Sequence, residues 1–155
     1  MPEVQFDSFD IQILSALQRC NQTTAQDLAE QVPLSPSAIV RRIRGYRETG
    51  VIAADVSVIY PRATGDRISV VLFIQLEEQG AAAVAAFRAE MERALEIQVV
   101  MEMAGSYDFM LIGVFPSMAR FNAFADEAIA DHPAVRRYEA SFVRRRVKFG
   151  THVPL

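Results

Sequence analysis

Residues 70–74, Val-Val-Leu-Phe-Ile, and residues 109–115, Phe-Met-Leu-Ile-Gly-Val-Phe, contain no polar side chain. Short apolar runs rich in β-branched and aromatic residues read as strands. Successive strand side chains point to opposite faces, so a sheet covered on one face alone should alternate apolar and polar. These runs do not alternate, and both faces of the sheet they build need cover. Residues 81–95 carry Val84, Phe87, Met91 and Leu95 at helical spacing, and residues 117–131 carry Phe121, Phe124, Ala125 and Ile129. With strands expected at 68–76, 97–104, 107–115 and 135–149, the order is βαββαβ. That order implies a ferredoxin-like sheet with both helices on one face. The other face then lies bare. At roughly 25 cal/mol per Å², leaving a few hundred Å² wet costs several kcal/mol. The same face of a second copy is the simplest cover, so a homodimer or larger oligomer is expected. The alternative is that the N-terminal part of the chain folds over it.

The first fifty residues have a different period. Phe9, Ile13, Leu14 and Leu17 form one stripe of a helix running from Asp7 or Ser8 to about Arg19. Thr24 with Asp27 three residues on makes an approximate capping box for a second helix, which buries Leu28, Ala29 and Val32. Pro33-Leu34 stops it. Ser35 is a good N-cap for a third helix, and Pro36 suits its first position, where the missing N–H costs nothing. Ile39, Ile43 and Tyr46 are its buried stripe, and Gly50 ends it. Two helices joined by so short a turn form a helix-turn-helix. The expected organisation is α+β: a helix-turn-helix domain over residues 1–59, a linker at 60–66 marked by Pro61 and Gly65, and a βαββαβ domain over 67–155 that dimerises.

The net charge of −3 hides a local pattern. Fifteen of the sixteen basic residues are Arg, and four of them, Arg41, Arg42, Arg44 and Arg47, fall within seven positions of the third helix. With Ile39, Ile43 and Tyr46 inward, a 100° step per residue turns Ser37, Arg41 and Arg44 to solvent and Arg42 to the flank. Small residues at the helix start (Ser35, Ser37, Ala38) allow close approach to a major groove. Arg41 and Arg44 reach guanine edges or the backbone, while Arg42 and Arg47 suit phosphates. The competing reading is a solvated basic face. A second basic run, Arg144-Arg145-Arg146-Val147-Lys148, sits on the expected last strand, where charge blocks stray edge pairing; further DNA contacts are the other reading.

Other chemistry is sparse. The single cysteine, Cys20, has no internal disulfide partner and reads as a small buried residue. His132 and His152 read as structural, no ligand spacing suggests a metal, and no nucleophile or phosphate-loop motif suggests catalysis or a cofactor. The N-terminus has no basic start or apolar run of a signal peptide, and no segment reaches the ~18 apolar residues of a membrane span, so a cytoplasmic protein is expected. In the Gly105-Ser106-Tyr107-Asp108 turn, Gly and Asp are ordinary turn residues. The same turn offers a carboxylate to an ammonium group and backbone amides to a carboxylate, the two ends of a free α-amino acid.

Several segments in order, FDSFDIQIL, AQDLAEQVPLSPSAIVRRIRGYRETGVI, YPRATG, AGSYDF and RRVKFGTHVPL, make the chain from about Phe6 to Leu155 resemble the Lrp/AsnC family of feast/famine regulators. The resemblance implies double-stranded DNA as partner and dimers formed through the sheet, often assembled to tetramers or octamers. It also implies a small-molecule effector, such as an amino acid, bound near the Gly-x-x-Asp turn. It makes Gly105, Tyr107 and Asp108 candidate effector residues and adds Ser141 on the last strand. Sirohaem decarboxylases share this architecture but need a polar pocket for propionate groups. The scarcity of histidine and the exposed basic third helix argue for a regulator instead. A metabolite-sensing module without DNA is the remaining alternative.

Overall fold

The computed structural model describes residues 5–59, 61–77 and 80–155; Tyr60, the first residue of the expected linker, lies outside them. The chain divides into two compact units, one formed by residues up to Val58 with Lys148–Leu155, the other by Ile59–Val147.

The first unit contains α1 (Ser8–Arg19), α2 (Ala25–Ala29) and α3 (Pro36–Glu48). Local chemistry sets each start. Asp7 and Asp10 cap one another's amides at 2.7 and 2.9 Å. Thr24 and Asp27 form the expected capping box. The Ser35 hydroxyl accepts from the Ala38 amide at 3.3 Å, with Pro36 at the first helical position. Ile13, Leu28 and Ile39 are fully buried, joined by Leu14, Val32, Ile43 and Tyr46. Past the end of α3 Gly50 takes φ +75°, the left-handed geometry glycine adopts without strain. Cys20 departs from expectation. It leaves α1 in extended conformation and is exposed.

The second unit contains β1 (Ile68–Leu76), α4 (Ala81–Arg93), β2 (Ile97–Glu102), β3 (Phe109–Phe115), α5 (Met118–Ala125) and β4 (Val135–Phe142). The strands lie in the order β2-β3-β1-β4 with every neighbouring pair antiparallel, which is the ferredoxin-like arrangement. Val70, Leu72 and Ile74 of β1 and Phe109, Leu111 and Phe115 of β3 pack with Phe87 and Met91 of α4 and Phe121 and Phe124 of α5. Gly113 belongs to this inner side, where a Cβ would stand 2.7 Å from the Phe115 ring. After α5 the chain widens into a π-helical turn over Asp126–Ala130 that keeps Ile129 fully buried.

Three element ends differ from the sequence reading. Leu95 is 97 % exposed instead of facing the core, because α4 stops at Arg93 and Ala94 turns to extended backbone. The hairpin strands β2 and β3 stop short of the Gly105-Ser106 turn by a few residues. Most consequentially, β4 ends at Phe142 and not at Phe149. Among the described residues it is an edge strand with β1 as its one neighbour, and its final ladder bond runs from the Val143 amide to the Ser69 carbonyl at 2.8 Å. Before Ile68 the chain passes through Gly65 at φ +82°, and among the described residues no strand precedes β1 there.

The sheet face opposite the helices is apolar at its centre. The registers set Val71, Ile112 and Val99 in one cross-strand row and Phe73, Met110 and Met101 in the next. On β4 the same face carries Arg137, Glu139 and Ser141.

Candidate functional site

Helix α3 presents Ser37, Val40, Arg41 and Arg44 as exposed residues and Ala38 as half-buried, on the side away from Ile39, Ile43 and Tyr46. Arg41 and Arg44 make no hydrogen bond or ion pair among the described residues. The other two arginines are engaged. Arg47 pairs with Asp55 at 2.9 Å, an exposed contact that water screens. Arg42, suited to phosphates by its flanking position on the wheel, instead clamps α3 to the start of α1: its guanidinium meets Asp7 at 2.8 Å and Asp10 closer still, and is only 30 % exposed. Tyr46 donates to the same Asp10 oxygen. Ser35 spends its hydroxyl on the cap and touches Ser37 at 3.1 Å.

Burial by itself pushes the Asp10 carboxyl up, but hydrogen bonds from Tyr46, the Asp7 amide and Arg42 together hold it below the usual carboxylate range. A depressed folded-state pKa adds stability that is complete above the unfolded value of about 4 and is lost as pH falls through the folded value. Asp10→Ala should therefore cost about 2 kcal/mol in urea unfolding at pH 7. The difference from wild type should shrink below about pH 4. An equal cost at every pH would show that the charge of Asp10 contributes nothing. Sequence reasoning misses this network. The period of α1 turns Asp10 outward as a polar residue, and its partners lie 32 and 36 positions away.

The Gly105–Asp108 turn is placed next to β1 and β4. Asp108 accepts from the Leu76 amide at 2.7 Å, and its own amide donates to the Ile74 carbonyl at 2.8 Å, so its carboxylate ties the turn to the sheet. Tyr107 lies against Phe73, ring centroids 5.4 Å apart, and under the Arg137 guanidinium at 5.5 Å. Its hydroxyl accepts from Arg137 at 3.0 Å, and its hydrogen bond with Glu139 raises the phenol pKa. Arg137 and Glu139 pair at 3.3 Å. Gly105 is exposed at the tip. Ser141 sits opposite Val71, two residues beyond Glu139 on the same face. The groups around Tyr107 are thus Phe73, Arg137 and Glu139, none of them singled out from sequence. The two-residue period of a strand, counted backwards from Ser141, leads to Glu139 and then Arg137 and is the signal that could have found them. No cluster of three or more His, Cys, Asp or Glu side chains able to hold a metal occurs among the described residues.

A capped helix-turn-helix with an exposed arginine face, joined to a four-stranded βαββαβ unit, defines a DNA-binding transcriptional regulator. Residues 6–47 match the AsnC-type helix-turn-helix domain and residues 69–153 the Lrp/AsnC ligand binding domain. The chain belongs to the Lrp/AsnC family. An uncharacterised HTH-type transcriptional regulator of Sinorhizobium fredii is 30 % identical over 98 % of this chain and 90 % of its own. The leucine-responsive regulatory protein of Rhizobium meliloti is 28 % identical over 98 % of this chain and 97 % of its own. A crystal structure of a Neisseria meningitidis transcriptional regulator in complex with L-methionine superposes with a TM-score of 0.88, at 25 % identity and 97 % coverage of both chains. The relatives are named as regulators and not as enzymes. Among the described residues no helix is long and apolar enough to cross a membrane.

Proposed function

We propose that this regulator reads duplex DNA with the exposed face of α3 and acts as a cytoplasmic, non-catalytic, amino-acid-responsive dimer or higher assembly. The observation that carries the reading is the division of labour on α3: Arg42 holds the helix to α1 and Arg47 rests in an exposed ion pair, while Arg41 and Arg44 are left to face a partner. Ser37 and Ala38 at the helix start admit a groove wall, and Ser35 serves by fixing that start. Arg47, ion-paired at the surface, exchanges Asp55 for a phosphate at little cost. Arg42 acts on DNA through the orientation of α3. Fluorescence anisotropy with a 30-base-pair duplex pool is the direct check. Binding that weakens steeply with salt is expected. No binding even at 20 mM salt would reject the reading.

Dimerisation follows from the half-exposed apolar rows on the sheet face opposite the helices, Val71-Ile112-Val99 and Phe73-Met110-Met101. Pairing two such faces brings two α3 helices to one duplex, and the operator is then an imperfect palindrome.

For the effector, the cluster beside Gly105, Tyr107 and Asp108 has the right chemistry. Arg137 suits an α-carboxylate, Glu139 an α-ammonium, and Phe73 with Tyr107 an apolar side chain, with Ser141 further along the same strand face. A zwitterion replaces the exposed Arg137–Glu139 pair with two of its own. L-methionine and L-leucine are the first to test, given the ligand of the Neisseria structure and the name of the Rhizobium relative. Glu139→Gln should weaken calorimetric binding of the effective amino acid at least tenfold and leave DNA affinity in its absence unchanged. Retained amino-acid affinity would remove Glu139 from the site. Asp108→Ala should abolish the response by releasing the turn from Leu76.

A further inference from the structure

The end of β4 changes the meaning of the second basic run. Edge blocking requires a ladder, and among the described residues none exists past the Val143–Ser69 bond. Residues 144–155 have no regular structure and are exposed throughout. From Val143 to Leu155 the chain carries four basic residues and no acidic one, and the four are packed into five positions, Arg144-Arg145-Arg146-Val147-Lys148. Such density of one sign without an acidic neighbour in sequence costs self-repulsion, which a polyanion relieves.

This segment is also fastened at both ends. Upstream, Val143 is held to β1. Downstream, Lys148–Leu155 packs with the helix-turn-helix unit. There the Gln18 side chain of α1 grips the backbone of Val153 from both sides, its Oε1 accepting from the Val153 amide at 2.6 Å and its Nε2 donating to the Val153 carbonyl at 3.1 Å. Lys148 is five residues from that clip, so even a fully extended chain keeps it within about 18 Å of Val153. Lys148 belongs to the same unit as α3, and Arg144–Arg146 precede it by no more than four residues of chain.

We propose that residues 144–148 are a second DNA-contacting element, an arm that binds backbone phosphates without reading sequence and is held in place by the Gln18–Val153 clip. The proposal rests on the DNA-binding reading of α3. It divides the work between a helix that selects bases and an arm that adds sequence-independent affinity.

The test is the salt dependence of full-length protein on a selected operator and on an unrelated duplex of equal length. Arg144→Gln, Arg145→Gln and Lys148→Gln together should make the slope of log K against log salt shallower by about 0.9 for each phosphate no longer neutralised, roughly 2–3 per subunit. Affinity for the two duplexes should fall by the same factor, leaving their ratio unchanged. Gln18→Ala, which removes no charge, should shallow the slope in the same sense. Arg93→Gln with Arg136→Gln, exposed charges outside the arm, serves as the control and should leave the slope alone. An unchanged slope in the triple variant, or an equal change in the control pair, overturns the arm while the wild-type protein still binds. Wild-type protein that binds neither duplex overturns the reading of α3 and the arm with it. The charged side chains replaced are exposed, so thermal unfolding of the triple variant and of the control should be unaltered, while Gln18→Ala loses two hydrogen bonds and should unfold at a slightly lower temperature from the same folded state.

Discussion

Arg41→Ala should lower operator affinity by about 1–3 kcal/mol per half-site, on the order of five- to 150-fold, and relax selectivity at one base pair of each half-site. The size follows from the geometry an arginine fork offers. Two donors meet guanine O6 and N7 together, and a wrong base leaves them unmatched in the groove. Arg41 is free to do this because no carboxylate among the described residues holds it. Arg44, three residues on along the same face, should give a loss of the same order at a neighbouring base pair. Arg47→Ala should be milder and uniform across sequences, since it exchanges an exposed ion pair for a phosphate. A titration in which Arg41→Ala retains wild-type affinity and selectivity would discard the base-reading role.

Ile112→Glu should convert the assembly to monomers at micromolar concentration in sedimentation velocity. Ile112 stands mid-strand in β3, between Val71 of β1 and Val99 of β2 in the central row of the bare face. The buried core lies on the other side, under Leu111, Phe109 and Phe115, so the substitution leaves the folding of one chain largely alone. At a paired interface it instead strands a carboxylate in apolar surroundings, close to its symmetry mate, at a cost of several kcal/mol. Operator affinity should fall with it, because two half-sites then bind independently and the gain from linking them disappears. A variant that sediments like wild type would move the interface off this face.

Local signals in the sequence are reliable where short-range chemistry decides structure. Thr24 with Asp27, and Ser35 with Pro36, set helix starts through side chains three residues away or less, and the apolar run 70–74 marks the centre of β1. The misses have distant causes. The Arg42 clamp depends on α1 meeting α3, and a 100° wheel of α3 alone shows Arg42 only as a flanking cation. The end of β4 is set by the start of β1, about seventy residues earlier. Asp108 reads as a turn residue or ligand group until the Leu76 amide is seen to need it. Leu95 fits the α4 stripe, yet the helix ends first. In the candidate effector cluster the turn is legible, while Phe73, Arg137 and Glu139 depend on register.

Selection of bound duplexes from a randomised pool, run in parallel with wild type and Arg41→Ala, tests the central assignment most directly. Wild type should enrich an imperfect palindrome whose half-sites are spaced by about 10–10.5 base pairs or a multiple of it, and Arg41→Ala should blur one position in each half. Enrichment of the same sequence by both proteins, or of none by wild type, would contradict it.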